Sequence, residues 1–298
     1  MKTLLLFLGL GAAWPALAAL QIFVTVPEWG ALAKEIGGDQ VRVYTATHAL
    51  QDPHRIEARP SLLAQARRAD LLIATGADLE VGWLPLVQRE SGNAAIQIGR
   101  IGYFEAASAV TMLDVPASVD RAHGDVHPGG NPHIQLDPHR VLRVATALSE
   151  RMAAVDPGNA SHYRANYRRF AEQWQSAIVR WEKLAQPLRG VPVVVQHASF
   201  TYLLAWLGMK QVATLEPKPG IEPGSAHLGE VLSRLQQQPA RLVLRAAYQH
   251  EGPSQWLASK SGLPVVVLPF TVGASAASGN LFALFDVTLQ DLLKALKP

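Results

Sequence analysis

Downstream of residue 156, apolar side chains recur every three or four positions: Tyr163, Tyr167, Phe170, Trp174, Ile178, Trp181 and Leu184. That spacing lays all seven along one stripe of a helix. Asp156-Pro157-Gly158 stands in front of the stripe, and Asp before Pro is a helix-start signal: the carboxylate caps and proline takes the first helical position. Pro187 and Gly190 mark the end. The pattern predicts a helix of about 28 residues, roughly 42 Å long at ~1.5 Å per residue. It is long for a globular helix, and no heptad is sustained as a coiled coil would require. A spine joining two lobes fits it.

On both sides of this spine, short β-branched or aliphatic runs alternate with helical patterns. Before it, residues 20–26 (LQIFVTV), 41–44, 71–75 and 96–98 read as strands, and residues 29–36 and 61–69 as helices. After it, residues 193–195, 211–214, 242–244 and 265–268 read as strands. Residues 200–207, 225–237, 254–261 and 281–296 read as helices. A further helical run over residues 141–151 follows Asp137-Pro138, where Asp137 is placed as the N-cap. Strand–helix alternation implies parallel sheets. The expected fold class is α/β: two lobes with parallel-type sheets joined by one long rigid helix. The expected boundaries are 19–155 for the N-terminal lobe, 156–188 for the linking helix and 189–298 for the C-terminal lobe.

The first eighteen residues, MKTLLLFLGLGAAWPALA, form a separate object. Lys2 supplies the positive start, residues 4–13 an apolar run too short to span a bilayer, and Ala16-Leu17-Ala18 a small-x-small cleavage site. This reads as a secretory signal peptide over residues 1–18. Of 298 residues, none is cysteine. That removes disulfides, thiolate metal ligands and a lipid-modified cysteine. The expectation is an exported, soluble, unanchored protein. The formal charge of +3 includes Lys2, and the remainder is too small and scattered to suggest nucleic acid as a partner.

Three of the ten histidines stand where a ring can point into a cleft. His54 lies in Asp52-Pro53-His54, after the second strand. His133 lies in Asn131-Pro132-His133. His197 follows the strand at residues 192–196, at the carboxyl end where open parallel sheets bind ligands. A preceding proline restricts the backbone at the first two. Three imidazoles without cysteine suit Zn²⁺, whereas Mg²⁺ and Ca²⁺ call for oxygen donors. The three lie 79 and 64 positions apart, so no local zinc motif joins them. Taken singly, on composition and position alone, each is better explained as a hydrogen-bonded histidine at a strand or turn end.

Four ordered blocks change that balance. They are Asp52-Pro53-His54-Arg55-Ile56-Glu57, Asn131-Pro132-His133-Ile134-Gln135-Leu136-Asp137-Pro138, His197-Ala198-Ser199-Phe200-Thr201-Tyr202-Leu203 and the segment from Glu216 to Leu228 (EPKPGIEPGSAHL). Together they resemble the periplasmic zinc- and manganese-binding proteins of ABC transporters, over nearly the whole mature chain. The resemblance implies that His54, His133 and His197 ligate the metal. It implies Zn(II) rather than Mn(II), because manganese members tend to place a carboxylate at the third position. It further implies delivery to an ABC transporter membrane permease. A periplasmic location, a monomer, no enzymatic activity and a periplasmic metallochaperone as a further partner complete the expectation. The His- and Asp-containing loop at residues 119–130, with His123 and His127, resembles a short version of a zinc-gathering loop; a solvated linker explains it equally.

The chain departs from the family where many members carry a carboxylate near the last strand. Here the segment is Pro269-Phe270-Thr271-Val272-Gly273, without an acid. The fourth position is left to water or an unplaced carboxylate; Glu57 and Glu222 are weak candidates, and Asp286 is expected to face solvent. Gln135 stands where an aromatic residue is common. His227 is expected to pack or cap, His162 to be exposed, and His139 to be a helix-start residue. An exported zinc hydrolase is the competing function, since three histidines and an open position are also a catalytic zinc form. No HExxH helix supports it. Capture by neutral imidazoles predicts an affinity that falls as pH drops through the histidine range.

Overall fold

The computed structural model describes residues 18–116 and 127–297. The predicted leader, Ala18 apart, lies outside the described residues, as do Asp120, His123 and Asp125 of the predicted loop.

The first half runs β1 (Leu20–Val24), α1 (Pro27–Gly37), β2 (Val41–Thr45), α2 (Pro60–Arg68), β3 (Leu71–Ala74), α3 (Leu84–Ser91) and β4 (Tyr103–Glu105). Its four strands are all parallel, in the order β2-β1-β3-β4. Then come α4 (Pro138–Val155) and α5 (Ala160–Leu184). The second half runs β5 (Pro192–Val195), α6 (Thr201–Leu207), β6 (Lys210–Thr214), α7 (Ser225–Gln237), β7 (Leu242–Ala246), α8 (Gly252–Ser261), β8 (Val265–Leu268) and α9 (Leu281–Leu296). Its sheet is also parallel, in the matching order β6-β5-β7-β8. In each sheet the chain steps outward from a central strand in both directions, which opens a crevice at the carboxyl ends. This is the expected α/β architecture of two parallel sheets with a long helix between them.

Two expectations about secondary structure fail for identifiable reasons. Residues 96–98 do not form the fourth strand. Ile96 closes a 3-10 turn (Ala94–Ile96) capped by the Asn93 side chain, and Ile98 is 73% exposed. The strand comes at Tyr103–Glu105, just beyond Gly102. A side chain at Gly102 would sit 2.6 Å from the carbonyl oxygens of both Ala95 and Asp70, so only glycine lets the chain enter the sheet there. Asp156 does not cap the long helix either. Its Oδ2 accepts from Asn159 Nδ2 at 2.8 Å and from the Tyr163 hydroxyl at 2.6 Å, Pro157–Asn159 makes a 3-10 turn, and α5 begins at Ala160. Asp137 behaves as expected: its Oδ1 accepts from the amides of His139 and Arg140 at the start of α4.

The 25 residues of α5 span about 38 Å at ~1.5 Å each. Its buried stripe holds Tyr163, Phe170, Trp174, Ile178 and Trp181, while Leu184 is 44% exposed. Asn166 joins the stripe by donating to the Ile36 carbonyl at the end of α1. The indoles are pinned as well as buried. Trp174 Nε1 donates to the Pro138 carbonyl at 2.8 Å, and Trp181 Nε1 to Asp286 Oδ1 at 2.6 Å. Asp286 therefore holds α9 against α5 rather than facing solvent freely. His162 is likewise half-buried, its Nε2 3.2 Å from the Gly37 carbonyl, not exposed as expected. His139, exposed, meets Glu182 at 2.7 Å and so joins α4 to α5. Through α4, α5 and α9, one apolar core runs continuously from the first sheet (Ile22, Leu71) to the second (Val193, Leu242).

Candidate metal centre

Three separate loops bring His54, His133 and His197 together. Each loop is held by its own local bonds. After β2, the Asp52 carboxylate accepts from the His54 amide at 3.0 Å, and Trp83 Nε1 donates to the Pro53 carbonyl. Ahead of α4, Asn131 Oδ1 accepts from the His133 amide at 3.0 Å, while Asn131 Nδ2 donates to the Ala198 carbonyl at 2.8 Å. This second bond ties the His133 loop to the His197 loop. His197 follows β5 directly and opens a 3-10 turn (Ala198–Phe200).

The ring centroids form a triangle: 5.2 Å from His54 to His133, 5.5 Å from His133 to His197 and 5.9 Å from His54 to His197. All three pairs meet near edge-on, at 74–78°. One nitrogen from each ring lies within 4.8 Å of the other two. His133 is 2% exposed and His197 6%. Two of the converging atoms, His54 Nε2 and His133 Nε2, are buried without a hydrogen-bond partner. A buried polar atom left unmade costs about 1–3 kcal/mol, so such atoms call for an explanation. Converging imidazole lone pairs are explained by a cation.

The opposite ring nitrogens are occupied. His54 Nδ1 meets Asp52 Oδ1 at 2.8 Å, and His197 Nδ1 meets Glu216 Oε2 at 2.6 Å. A carboxylate on Nδ1 places the proton there and leaves the lone pair on Nε2, the tautomer a metal needs. Burial pushes the Asp52 carboxyl up, but its hydrogen bonds to His54 and the charges of His54 and Arg55 bring it below the usual carboxylate range. His133 packs edge-on against Phe270 at 5.3 Å. Burial, followed by the proximity of His54, His197 and His127, holds its pKa well below the ordinary histidine value. It is therefore neutral, with a lone pair to give.

The remaining candidates divide clearly. His127 lies close, its ring 5.5 Å from that of His54, but tilted at 30° instead of converging. Glu222 is exposed at the rim of the cavity that His54 and His197 line, and Glu57 is exposed on its loop. His227 packs as expected, with Nε2 3.1 Å from the Thr214 carbonyl. The acid-free segment after β8 is used otherwise. Phe270 covers His133, the Thr271 hydroxyl binds Glu28, and Gln135 donates to the Phe270 carbonyl at 3.3 Å. Two carboxylates went unnoticed in the sequence. Asp52 had a signal, sitting two positions ahead of His54. Glu216 opens the fourth family-like block, but nothing in the sequence ties it to His197; the pairing of β5 with β6 brings the two together.

Residues 22–295 match the family model described as ZnuA, the zinc-uptake complex component A, periplasmic. The chain belongs to this family. It is a family of metal-binding, solute-binding components of ABC transporters. The zinc-binding lipoprotein AdcA of Streptococcus pneumoniae (strain ATCC BAA-255 / R6) is 24% identical over 232 residues, covering 76% of this chain and 44% of that protein. The chain thus spans less than half the length of this relative. The high-affinity zinc uptake system protein ZnuA of Paracoccus denitrificans (strain Pd 1222) is 24% identical over 274 residues, with 80% of each chain covered. A crystal structure of ZnuA superposes with a TM-score of 0.77 at 23% identity, covering 94% of this chain and 100% of that one. This last likeness establishes the fold. Among the described residues, no helix is long and apolar enough to cross a membrane.

Proposed function

We propose that this chain captures Zn²⁺ between its two sheets, on His54, His133 and His197, and delivers it to the permease of an ABC importer. The observation that carries this reading is the convergence of three imidazole nitrogens within 4.8 Å, two of them buried and unpartnered. Capture is coordination, not catalysis, and the hydrolase alternative is not favoured within a family of transport components. Zinc is preferred to manganese because the convergent set offers nitrogen alone, whereas Mn²⁺ suits carboxylate, carbonyl and water donors. Two negative charges stand one step behind the imidazoles, on Asp52 and Glu216. They balance a divalent cation without touching it.

The expected lobes, 19–155 and 189–298, close on the ion from either side of the segment 156–188. The leader and the lack of cysteine support export to the periplasm without a cysteine-linked lipid, and a monomer belongs to the same reading. A metallochaperone that loads the site belongs to the same reading. Metal analysis of the purified protein beside a triple variant (His54→Ala, His133→Ala, His197→Ala) tests the assignment. The native chain is expected to carry one zinc and the variant background levels; equal zinc in both removes the site.

A further inference from the structure

The turn that follows β6 belongs to the second half of the chain, yet it is held by the first. Glu216 Oε2 lies 2.6 Å from His197 Nδ1 and also accepts from the Gly220 amide at 2.8 Å. The Gly220 carbonyl in turn accepts from an Arg55 guanidinium nitrogen at 3.2 Å, and Arg55 adjoins His54. Gly220 has φ +75°, and a Lys218–Ile221 bridge closes the turn around it. Glycine enters that backbone region at no steric cost. The result is a continuous path, His197–Glu216–Gly220–Arg55, from a metal-facing ring in one half to the neighbour of a metal-facing ring in the other.

We propose that Glu216 is the positioning residue for His197 and that, through Gly220 and Arg55, it couples metal on the C-terminal ligand to closure against the N-terminal half. This rests on the three-histidine reading. A cation on His197 Nε2 withdraws electrons from the ring and makes the Nδ1–H a stronger donor. The charge-assisted bond to Glu216 tightens. A carboxylate fixed in this way holds the Gly220 amide, which keeps the turn's carbonyl presented to Arg55. Without metal, the His197–Glu216 bond weakens, the turn loosens, and the Gly220 carbonyl is held less firmly by Arg55. Coupling of this kind is reciprocal: whatever strengthens the Arg55 grip must also strengthen metal retention.

Four proteins test it: native, Glu216→Gln, Arg55→Ala and the double variant. Each is compared by zinc dissociation into a chelator and by the visible bands of its Co²⁺ form, with circular dichroism reporting the fold. Glu216→Gln is expected to lower zinc affinity about 10–100-fold and to shift the Co²⁺ bands, because the ring behind the metal changes its partner. Arg55→Ala is expected to leave the bands in place and to speed zinc loss several-fold. In the Glu216→Gln background, Arg55→Ala should add less than it does in the native chain. Native affinity and bands in Glu216→Gln, native dissociation in Arg55→Ala, or fully additive effects would each overturn the proposal. If Glu216→Gln does not fold, Glu216→Asp, with a shorter reach to His197, carries the same expectations. His197→Ala serves as the control: native zinc affinity there removes the three-histidine site itself, a different failure.

Discussion

The Thr271 hydroxyl donates to Glu28 Oε2 at 2.6 Å, linking the loop after β8 to the first turn of α1 across 243 positions of sequence. The contact joins the two halves in the interior, where Glu28 is 3% exposed. Glu80 is buried nearby, satisfied by the Thr25 hydroxyl and the amides of Thr75 and Gly76. Burial raises the Glu28 pKa to about 7, against the lowering effect of the Thr271 bond and with a further rise from Glu80.

A raised carboxyl pKa has a definite sign for stability. The folded chain holds this proton more tightly than the unfolded one, whose Glu28 titrates near 4.5. The associated stability is fully present below pH 4.5 and is lost as pH rises through about 7. The loss amounts to about 3 kcal/mol at ~1.4 kcal/mol per pH unit. Glu28→Gln, which cannot ionise, is expected to remove this component. Denaturant unfolding of both proteins at pH 5 and pH 8 checks it: the variant should gain relative to the native chain at the higher pH, and parallel curves would exclude the effect.

Proton competition at the metal should be lighter than three titrating imidazoles would give. His133 is held well below the usual histidine range, so no proton need leave it when zinc binds near neutrality. Zinc affinity is expected to fall from about pH 7.5 to about pH 5.5, the window of imidazole titration. Calorimetry in buffers of different ionisation enthalpy should count fewer than three protons released per zinc. Three released protons, or a flat affinity profile, would contradict the site as described.

Metal preference should follow the donor at residue 197. Replacing an imidazole by a carboxylate moves the site from nitrogen toward oxygen donors, which favours Mn²⁺ relative to Zn²⁺. His197→Glu is expected to lower the zinc-to-manganese affinity ratio by at least tenfold, read by competition between the two ions. An unchanged ratio would mean that residue 197 does not ligate.

The spine should be costly to hollow out. Trp174 is fully buried, stands 4.9 Å from Phe282 and 5.0 Å from Trp181, and donates its indole N–H to Pro138. Trp174→Ala is expected to cost about 3–5 kcal/mol, the range for truncating a large buried aromatic residue. Thermal unfolding measures this. Because the core is continuous between the sheets, both halves should unfold in one transition; two separated transitions would show that they are independent.

Much of the architecture was legible in local pattern. Continuous β-branched and aliphatic runs located seven of the eight strands among the described residues, because strands of a covered parallel sheet are buried on both faces, and period-3.6 spacing located the long helix, because it marks the buried stripe. The reading failed where a side chain chose a partner that the pattern does not encode. At Asp156, a carboxylate able to cap bonded Asn159 and Tyr163 instead. At residues 96–98, two isoleucines mimicked a strand that the chain could enter only after Gly102.

The sequence by itself determined the fold class and the family and singled out the three histidines as candidates, since ordered motifs and apolar periodicity are properties of the chain read in order. Only the tertiary structure decided what surrounds those histidines. Asp52 and Glu216 behind the rings, Phe270 over His133, and the Arg55 and Thr271 contacts between the halves depend on residues brought together by strand pairing and helix packing. Such contacts are chosen by distance and burial in the folded chain, and sequence separation carries no record of either.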